Sequence, residues 1–175
     1  MNSYRNRIVR SLVACLAVGM ALMLGSGRAM GQASATANGS STVVPAITIT
    51  KTSDLQFGLI VAGPGGTVVI GTDGTLTASG PTALSNASYP VTAAGFTVTG
   101  MATLAYTITL PTTITLNGPS SSTMSIGNFI SNPANTGTIG AGGTSTLAVG
   151  GTLTVSSTQT PGAYTGTFNV TVNYQ

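Results

Sequence analysis

The sequence predicts an all-β fold, either a sandwich or a barrel. After residue 35 no window has the periodicity of an amphipathic helix, whereas roughly ten short segments alternate apolar and polar residues. Glycine, proline, asparagine and aspartate separate these segments at close spacing. Such a series of short strands is typical of two packed sheets, and the residues after 35 are numerous enough to bury a core between them.

The first 35 residues predict a secretory signal peptide. A basic stretch that ends at Arg10 is followed by apolar residues 12–24 and by two small-residue cleavage sites, after Ala33 and after Ala35. The alternative is a retained membrane anchor, but the apolar run is shorter than the roughly 20 residues that a spanning helix requires. We therefore expect a secreted protein that passes through the periplasm and meets the membrane only during export.

Most of the charge lies in this leader. The whole chain has Lys+Arg 5 and Asp+Glu 2, for a formal net charge of +3. After residue 35 the charged residues are only Lys51, Asp54 and Asp73. Because the excess of positive charge lies in the leader, it predicts no nucleic-acid partner. The nearly uncharged remainder is typical of a subunit that associates with other chains.

Residues 36–42 are small and polar and predict a flexible tether before the domain at 43–175. The next segment, 43–50, alternates as a strand. Because a proline within it cannot donate to a ladder, this strand is expected at a sheet edge or as an added strand. Its apolar face consists of Val43, Pro45, Ile47 and Ile49.

Two glycine-containing dipeptides in the middle of the chain predict hairpins. Asp73-Gly74 supplies the positive φ that a tight turn needs, and Gly150-Gly151 is interpreted in the same way. A break is expected at 51–54. The other predicted strands are 55–61, 89–93, 96–99, 104–110, 114–116 and 124–130, with loops at 79–88 and 131–143.

The C-terminal segment, 164–174, carries the strictest alternation and predicts one long half-buried strand. Threonine and asparagine occupy its other face. The free edge of such a strand is a template for pairing with another chain. The apolar side chains expected to border an acceptor groove and a chaperone-binding edge are Phe168, Val170, Val172 and Tyr174.

The residue types exclude most catalytic chemistry after residue 35. The chain has no histidine, and beyond the leader it has no cysteine, glutamate or arginine. A serine nucleophile would lack a base, and two carboxylates, Asp54 and Asp73, are too few for a calcium site without many carbonyl ligands. We predict no enzyme activity, no catalytic residue, no metal and no cofactor. A hydrolase remains an alternative function, which an activity screen would test.

Several motifs resemble known secreted families. Residues 55–58, L-Q-F-G, resemble the L-x-F-G segment of the spore coat protein U family, and residues 162–174 resemble that family's G-x-Y-x-x-x-x-x-V-x-V-x-Y ending. The penultimate Tyr174 is also similar to the C-terminus of chaperone–usher pilus subunits. Over most of residues 40–175 the chain resembles a secreted bacterial family catalogued as a domain of unknown function, through V-P-A-I-T-I at 44–49 and G-G-T-L at 150–153.

This resemblance implies an immunoglobulin-like antiparallel β-sandwich with an incomplete sheet edge. It implies a structural subunit of a fimbria-like fibre or surface coat, assembled when residues 43–50 of one copy complete the sheet of the next. The implied partners are copies of itself or related subunits, a periplasmic chaperone and an outer-membrane usher. The alternative is a stand-alone secreted or surface-attached adhesin or binding domain, in which residues 43–50 close the domain's own sheet.

Overall fold

The computed structural model describes residues 32–61 and 63–175. Val43–Gln175 forms one compact unit. The strands are β1 Thr48–Ser53, β2 Gln56–Phe57, β3 Leu59–Val61, β4 Gly66–Ile70, β5 Leu76–Ser79, β6 Thr82–Leu84, β7 Val91–Thr92, β8 Ala94–Thr99, β9 Ala105–Thr109, β10 Thr113–Asn117, β11 Thr123–Asn132, β12 Thr136–Thr138, β13 Thr144–Val155 and β14 Thr171–Tyr174. A 3₁₀ turn, Pro119–Ser121, joins β10 to β11. The predicted all-β sandwich is confirmed.

Strand β13 is the centre of the larger sheet, which has seven strands. One side of β13 pairs with β11. Its other side is shared along its length, because residues 144–149 pair with β8 and residues 151–155 pair with β4. Strand β1 adds beside β8, β5 beside β4 and β10 beside β11, and every pairing is antiparallel.

The second layer is broken into three pieces. A three-stranded sheet runs in the order β12-β9-β14, and two smaller sheets pair β2 with β7 and β3 with β6. A first hydrophobic cluster lies between the three-stranded sheet and the β8–β13 region and contains Tyr106, Leu147, Val149 and Val172 among its members. A second cluster lies over the other half of β13 and contains Phe57, Ile70, Ile126, Leu153 and Val155.

The Asp-Gly hairpin is found as predicted. Ile70 pairs with Leu76, Gly74 has φ 81°, and its N–H donates to the carbonyl of Gly71 at 3.0 Å. The side chain of Asp73 accepts hydrogen bonds from the N–H and the hydroxyl of Thr75. The turn therefore has the local hydrogen bonding that favours aspartate at this position.

The Gly150-Gly151 hairpin prediction is wrong. Both glycines lie inside β13, which runs without interruption through twelve residues. Gly150 is required because its Cα faces the backbone carbonyl of Ile70, where a Cβ would collide. The glycine dipeptide therefore marks a close approach of two backbones within the sheet. Such an approach is a reason for glycine in a strand that is separate from turn formation.

The N- and C-terminal strands are both shorter than predicted. The first begins at Thr48, since residues 43–47 form no ladder, and it continues through the expected break at 51–54 as far as Ser53. The last covers only Thr171–Tyr174, preceded by one isolated bridge between Thr165 and Asn117. Alternation indicates which side chains are buried, but a strand also needs a hydrogen-bonding neighbour. Short strands β6 and β12 lie in the two predicted loops.

Candidate functional site

The C-terminal strand lies at the edge of its sheet. Among the described residues β14 pairs only with β9, so its other side carries no ladder. Val172 is buried, Thr171 and Asn173 are exposed, and Phe168, Val170 and Tyr174 are half-buried. The four predicted groove-border side chains therefore share the inward face, and their role towards a partner stays a prediction.

The predicted donor segment, residues 43–50, is divided between two environments. Val43 is 95% exposed and Val44 is 38% exposed, and Pro45 is exposed as well. Ile47 and Ile49 instead pack against the first hydrophobic cluster of their own chain. The residues from Thr48 onward also pair with β8 of the same chain. Of the four residues on the segment's apolar face, the structure therefore exposes Val43 and Pro45 and half-buries Ile47 and Ile49.

Tyr174 connects the C-terminal strand to this segment. Its hydroxyl donates to the carbonyl of Pro45 at 3.0 Å and accepts from the backbone N–H of Met101 at 2.7 Å. One side-chain hydroxyl therefore holds the exposed segment beside the edge strand. A single neutral hydrogen bond of this kind contributes about 1 kcal/mol, so the attachment is weak.

A groove of about 740 Å³ opens over the second hydrophobic cluster. Its floor consists of alternate residues from three neighbouring strands of the larger sheet. They are Ile114 and Leu116 of β10, Met124 and Ile126 of β11, and Leu153 and Val155 of β13. No charged residue lines the groove. The floor is thus a row of apolar side chains at the spacing of a sheet face.

Two extended segments form the walls of this groove. One wall is residues 55–60, which include β2 and most of β3, and each of these strands pairs with only one neighbour among the described residues. The other wall is the strap, residues 159–168, which carries Phe168 against Phe129 at a ring-centroid distance of 5.1 Å. Within the described part of the chain, residues 166–170 make no backbone–backbone hydrogen bond. Both walls therefore offer backbone groups without ladder partners.

The strap is fixed to β10 at one end by Thr165, while Tyr164 ties the strap together and contacts Ser122 just before β11. The hydroxyl of Tyr164 accepts from Nε2 of Gln159 at 2.6 Å, donates to the carbonyl of Thr160 at 2.7 Å, and lies 2.6 Å from Oγ of Ser122. The neighbouring Thr165 exchanges two backbone hydrogen bonds with Asn117, at 2.8 and 3.0 Å. Through these contacts the strap forms a fixed wall on one side of the groove.

The sequence interpretation missed the groove and its floor. The alternation of 114–116 and 124–126 indicated buried faces, but it did not show that the second layer leaves part of them uncovered. Tyr164 was interpreted as the first apolar residue of a long strand, whereas its hydroxyl is a polar centre. The turn residues Pro161 and Gly162 gave the only local signal that the chain changes direction there.

The few charged groups in the described residues have structural roles. Nζ of Lys51 and Oδ1 of Asp54 form an exposed ion pair at 2.6 Å. The hydroxyl and N–H of Thr75 lower the pKa of Asp73 by donating to its carboxylate. In residues 32–61 and 63–175 no group of three or more histidine, cysteine, aspartate or glutamate side chains is positioned to hold a metal ion. No helix there is long and apolar enough to cross a membrane.

Comparison with known proteins identifies one family. No curated protein and no solved structure matches the chain significantly. The family model described as "Domain of unknown function (DUF4402)" matches residues 47–174, which is nearly all of the β-sandwich. The match begins just before β1 and ends in β14, so it includes the groove, the strap and the edge strand. The chain belongs to the DUF4402 family.

Proposed function

We propose that the protein is a non-enzymatic structural subunit of an extracellular fimbria-like fibre or surface coat, assembled by strand complementation between copies. The observation that carries the proposal is the unpaired edge strand β14 with its inward apolar residues, next to an exposed apolar segment at residues 43–46. An unpaired edge binds an extended segment through main-chain hydrogen bonds and selects it through alternate side chains.

The composition supports the same proposal. Outside the leader the chain has almost no charge, and low charge favours association. Resemblance of the C-terminal motif to spore coat protein U and to chaperone–usher pilus subunits adds a precedent for assembly. In this proposal the N-terminal leader is a signal peptide, a periplasmic chaperone covers the edge at Val170 and Val172 during transit, and an outer-membrane usher exports the subunit.

A second candidate is a stand-alone surface-attached adhesin or binding domain. One observation favours it, because Thr48–Ser53 pairs with β8 of the same chain and closes the larger sheet internally. If residues 43–50 remain in this position permanently, the domain has no segment to give to a neighbour.

Oligomer size separates the two candidates. The exported chain is purified and examined by size-exclusion chromatography with light scattering over a wide concentration range, and by negative-stain electron microscopy. The fibre proposal expects polymers that disappear when residues 36–46 are deleted, because this deletion keeps both predicted cleavage sites and leaves Ile47 and β1 in place. A chain that stays monomeric at the highest concentration would support the stand-alone domain instead.

A further inference from the structure

We infer that the apolar groove between residues 55–60 and the strap receives residues 42–46 of a second copy as an added strand. This inference rests on the proposed function, since it names the place where one copy docks on another. It keeps the fibre of the proposed function but makes the groove over the second hydrophobic cluster, rather than the edge of β14, the acceptor for this segment.

The walls and floor of the groove provide what an extended peptide needs. The edge at Gln56–Phe57 and Leu59–Val61 lacks a second ladder partner in the described residues. A strand laid beside it gains main-chain hydrogen bonds, and its inward side chains contact the alternate apolar residues of the floor. Leu116 and Met124 are half-buried floor residues that such side chains would cover.

The exposed segment matches this site in its lack of charge and in its apolar side chains. Residues 32–46 contain no charged side chain, and neither does the groove, so docking removes no charge from water. Val43 has the largest exposed fraction among the large hydrophobic residues of the described chain, at 95%. Burying such a side chain contributes a free energy that the isolated chain does not obtain.

Pro45 suits a strand that pairs along one side. Successive N–H groups in a strand point to opposite sides, so Val44 and Ala46 donate to the edge of residues 56–61 while Pro45 faces the strap. The missing N–H of Pro45 is then on the side where no ladder forms. Val43 and Pro45 project to the floor, and Val44 and Ala46 project outward.

Ile47 and Ile49 stay in their own chain. They pack against the first cluster, and β1 remains paired with β8. Docking therefore costs the hydrogen bond from Tyr174 to the carbonyl of Pro45 and little else. Because the segment and the groove are different surfaces, the contact is head-to-tail and repeats into an open polymer rather than a closed dimer.

Cysteine cross-linking between two tagged full-length chains tests the inference. Cys15→Ser removes the natural thiol in every variant. Val43→Cys in one chain is mixed with Met124→Cys in the other, and disulfide-linked heterodimers are measured under mild oxidation. We expect the yield of heterodimer with Met124→Cys to be at least ten-fold higher than the yield with Thr77→Cys, which is an exposed control position on β5. Leu116→Cys replaces Met124→Cys if that variant does not fold.

A third partner variant, Asn173→Cys, reports on the edge of β14. Preferential cross-linking to Asn173 with polymers present overturns the groove and leaves the fibre proposal standing. Cross-linking to Met124 without any species larger than a dimer supports the groove as the docking site but contradicts both the head-to-tail polymer and the fibre. Equal cross-linking to Met124 and Thr77 overturns the groove.

Tyr174→Phe gives an independent measurement. The variant removes the hydroxyl that donates to Pro45 and so releases the segment. We expect the cross-linking yield with Met124→Cys to rise about five-fold, the change that corresponds to losing one competing neutral hydrogen bond. An unchanged or reduced yield would overturn the assignment of residues 42–46 as the docking segment.

Discussion

The two halves of β13 present similar apolar faces, yet they are covered in different ways. Leu147 and Val149 lie beneath the three-stranded sheet, and they are 1% and 0% exposed. Leu153 and Val155 lie beneath two short ribbons and the strap, and they also line an open groove. The same strand therefore supports a closed core at one end and an incompletely covered surface at the other.

The two halves also differ in how their second layer is built. The closed half has a continuous second layer whose central residue, Tyr106, is fully buried with its hydroxyl 3.0 Å from Oγ of Ser145. A buried polar group with a partner fixes the packing of its neighbours. The open half has a second layer divided into short ribbons, and the floor residues Ile114, Leu116 and Met124 are only half-buried. We expect substitutions to affect stability mainly in the first half and association mainly in the second.

The largest effect is expected at the C-terminal strand that covers the closed half. Val172→Asp would place a carboxylate without a partner in the first cluster, at a cost comparable to the whole stability of about 5–15 kcal/mol. We expect no soluble folded protein by circular dichroism. Thr171→Asp is the matched control, because Thr171 is exposed and the variant should fold. Equal tolerance of both variants would show that alternation in β14 does not define a buried face.

A smaller effect separates the closed core from the groove floor. Leu147→Ala should lower the free energy of unfolding by about 2–5 kcal/mol, since it leaves a cavity in a closed cluster. Leu116→Ala, at a half-buried floor position, should lower it by roughly 1 kcal/mol. Urea titration measures both. Similar losses at the two positions would mean that the groove is as tightly packed as the closed half.

The strap provides the next test. Tyr164→Phe removes a hydroxyl that bonds Gln159 and Thr160, at a cost of about 1–3 kcal/mol to local stability. We expect faster amide hydrogen exchange at Thr165 and Asn117. Tyr89→Phe is the control, because this rim residue is 52% exposed and its substitution should leave exchange in the strap unchanged. Equal exchange in the two variants would show that Tyr164 does not fasten the strap.

The smallest expected effect is on the pH dependence of stability. Hydrogen bonds from the hydroxyl and the N–H of Thr75 lower the pKa of Asp73 from the usual value of an aspartate. A lowered folded-state pKa stabilises the fold at pH above the unfolded value, and this contribution is lost as the pH falls through the folded value. Between pH 7 and pH 3, Asp73→Asn should therefore show a slightly smaller loss of stability than the natural chain by urea titration. Thr75→Val should reduce the loss in the same way, and identical profiles for all three proteins would contradict this role.

The sequence predicted features that depend on neighbouring residues and missed those that depend on distant pairing. Asp73-Gly74 forms its turn because the required hydrogen bonds are local. Gly150-Gly151 carries the same kind of signal, but Gly150 is needed because Ile70 of β4, a strand far away in the chain, passes close to its backbone. The alternation of 164–174 identified the inward side chains and overstated the strand, because residues 166–170 have no ladder partner in the described part of the chain.

The groove could not be predicted from the sequence, for a related reason. Its floor residues alternate as any buried strand does, and their exposure depends on how far the β2–β7 and β3–β6 ribbons extend over them. Gly58 divides the predicted strand 55–61 into β2 and β3, and the loop between β6 and β7 adds Tyr89 and Pro90 to the rim. Local patterns do not specify such coverage, because it follows from the packing of separate sheets.

The scarcity of positive charge has a consequence for cleavage by trypsin-like proteases. Proteases of trypsin-like specificity cleave after lysine or arginine, and in residues 32–61 and 63–175 Lys51 is the single residue of either type. It lies in β1 opposite Phe96 of β8, so its peptide bond is reached only after the ladder opens. The exposed residues 32–46, where cleavage would otherwise be easiest, offer these enzymes no bond to cut. In the proposed extracellular location, this scarcity would slow digestion of the domain by proteases of that specificity.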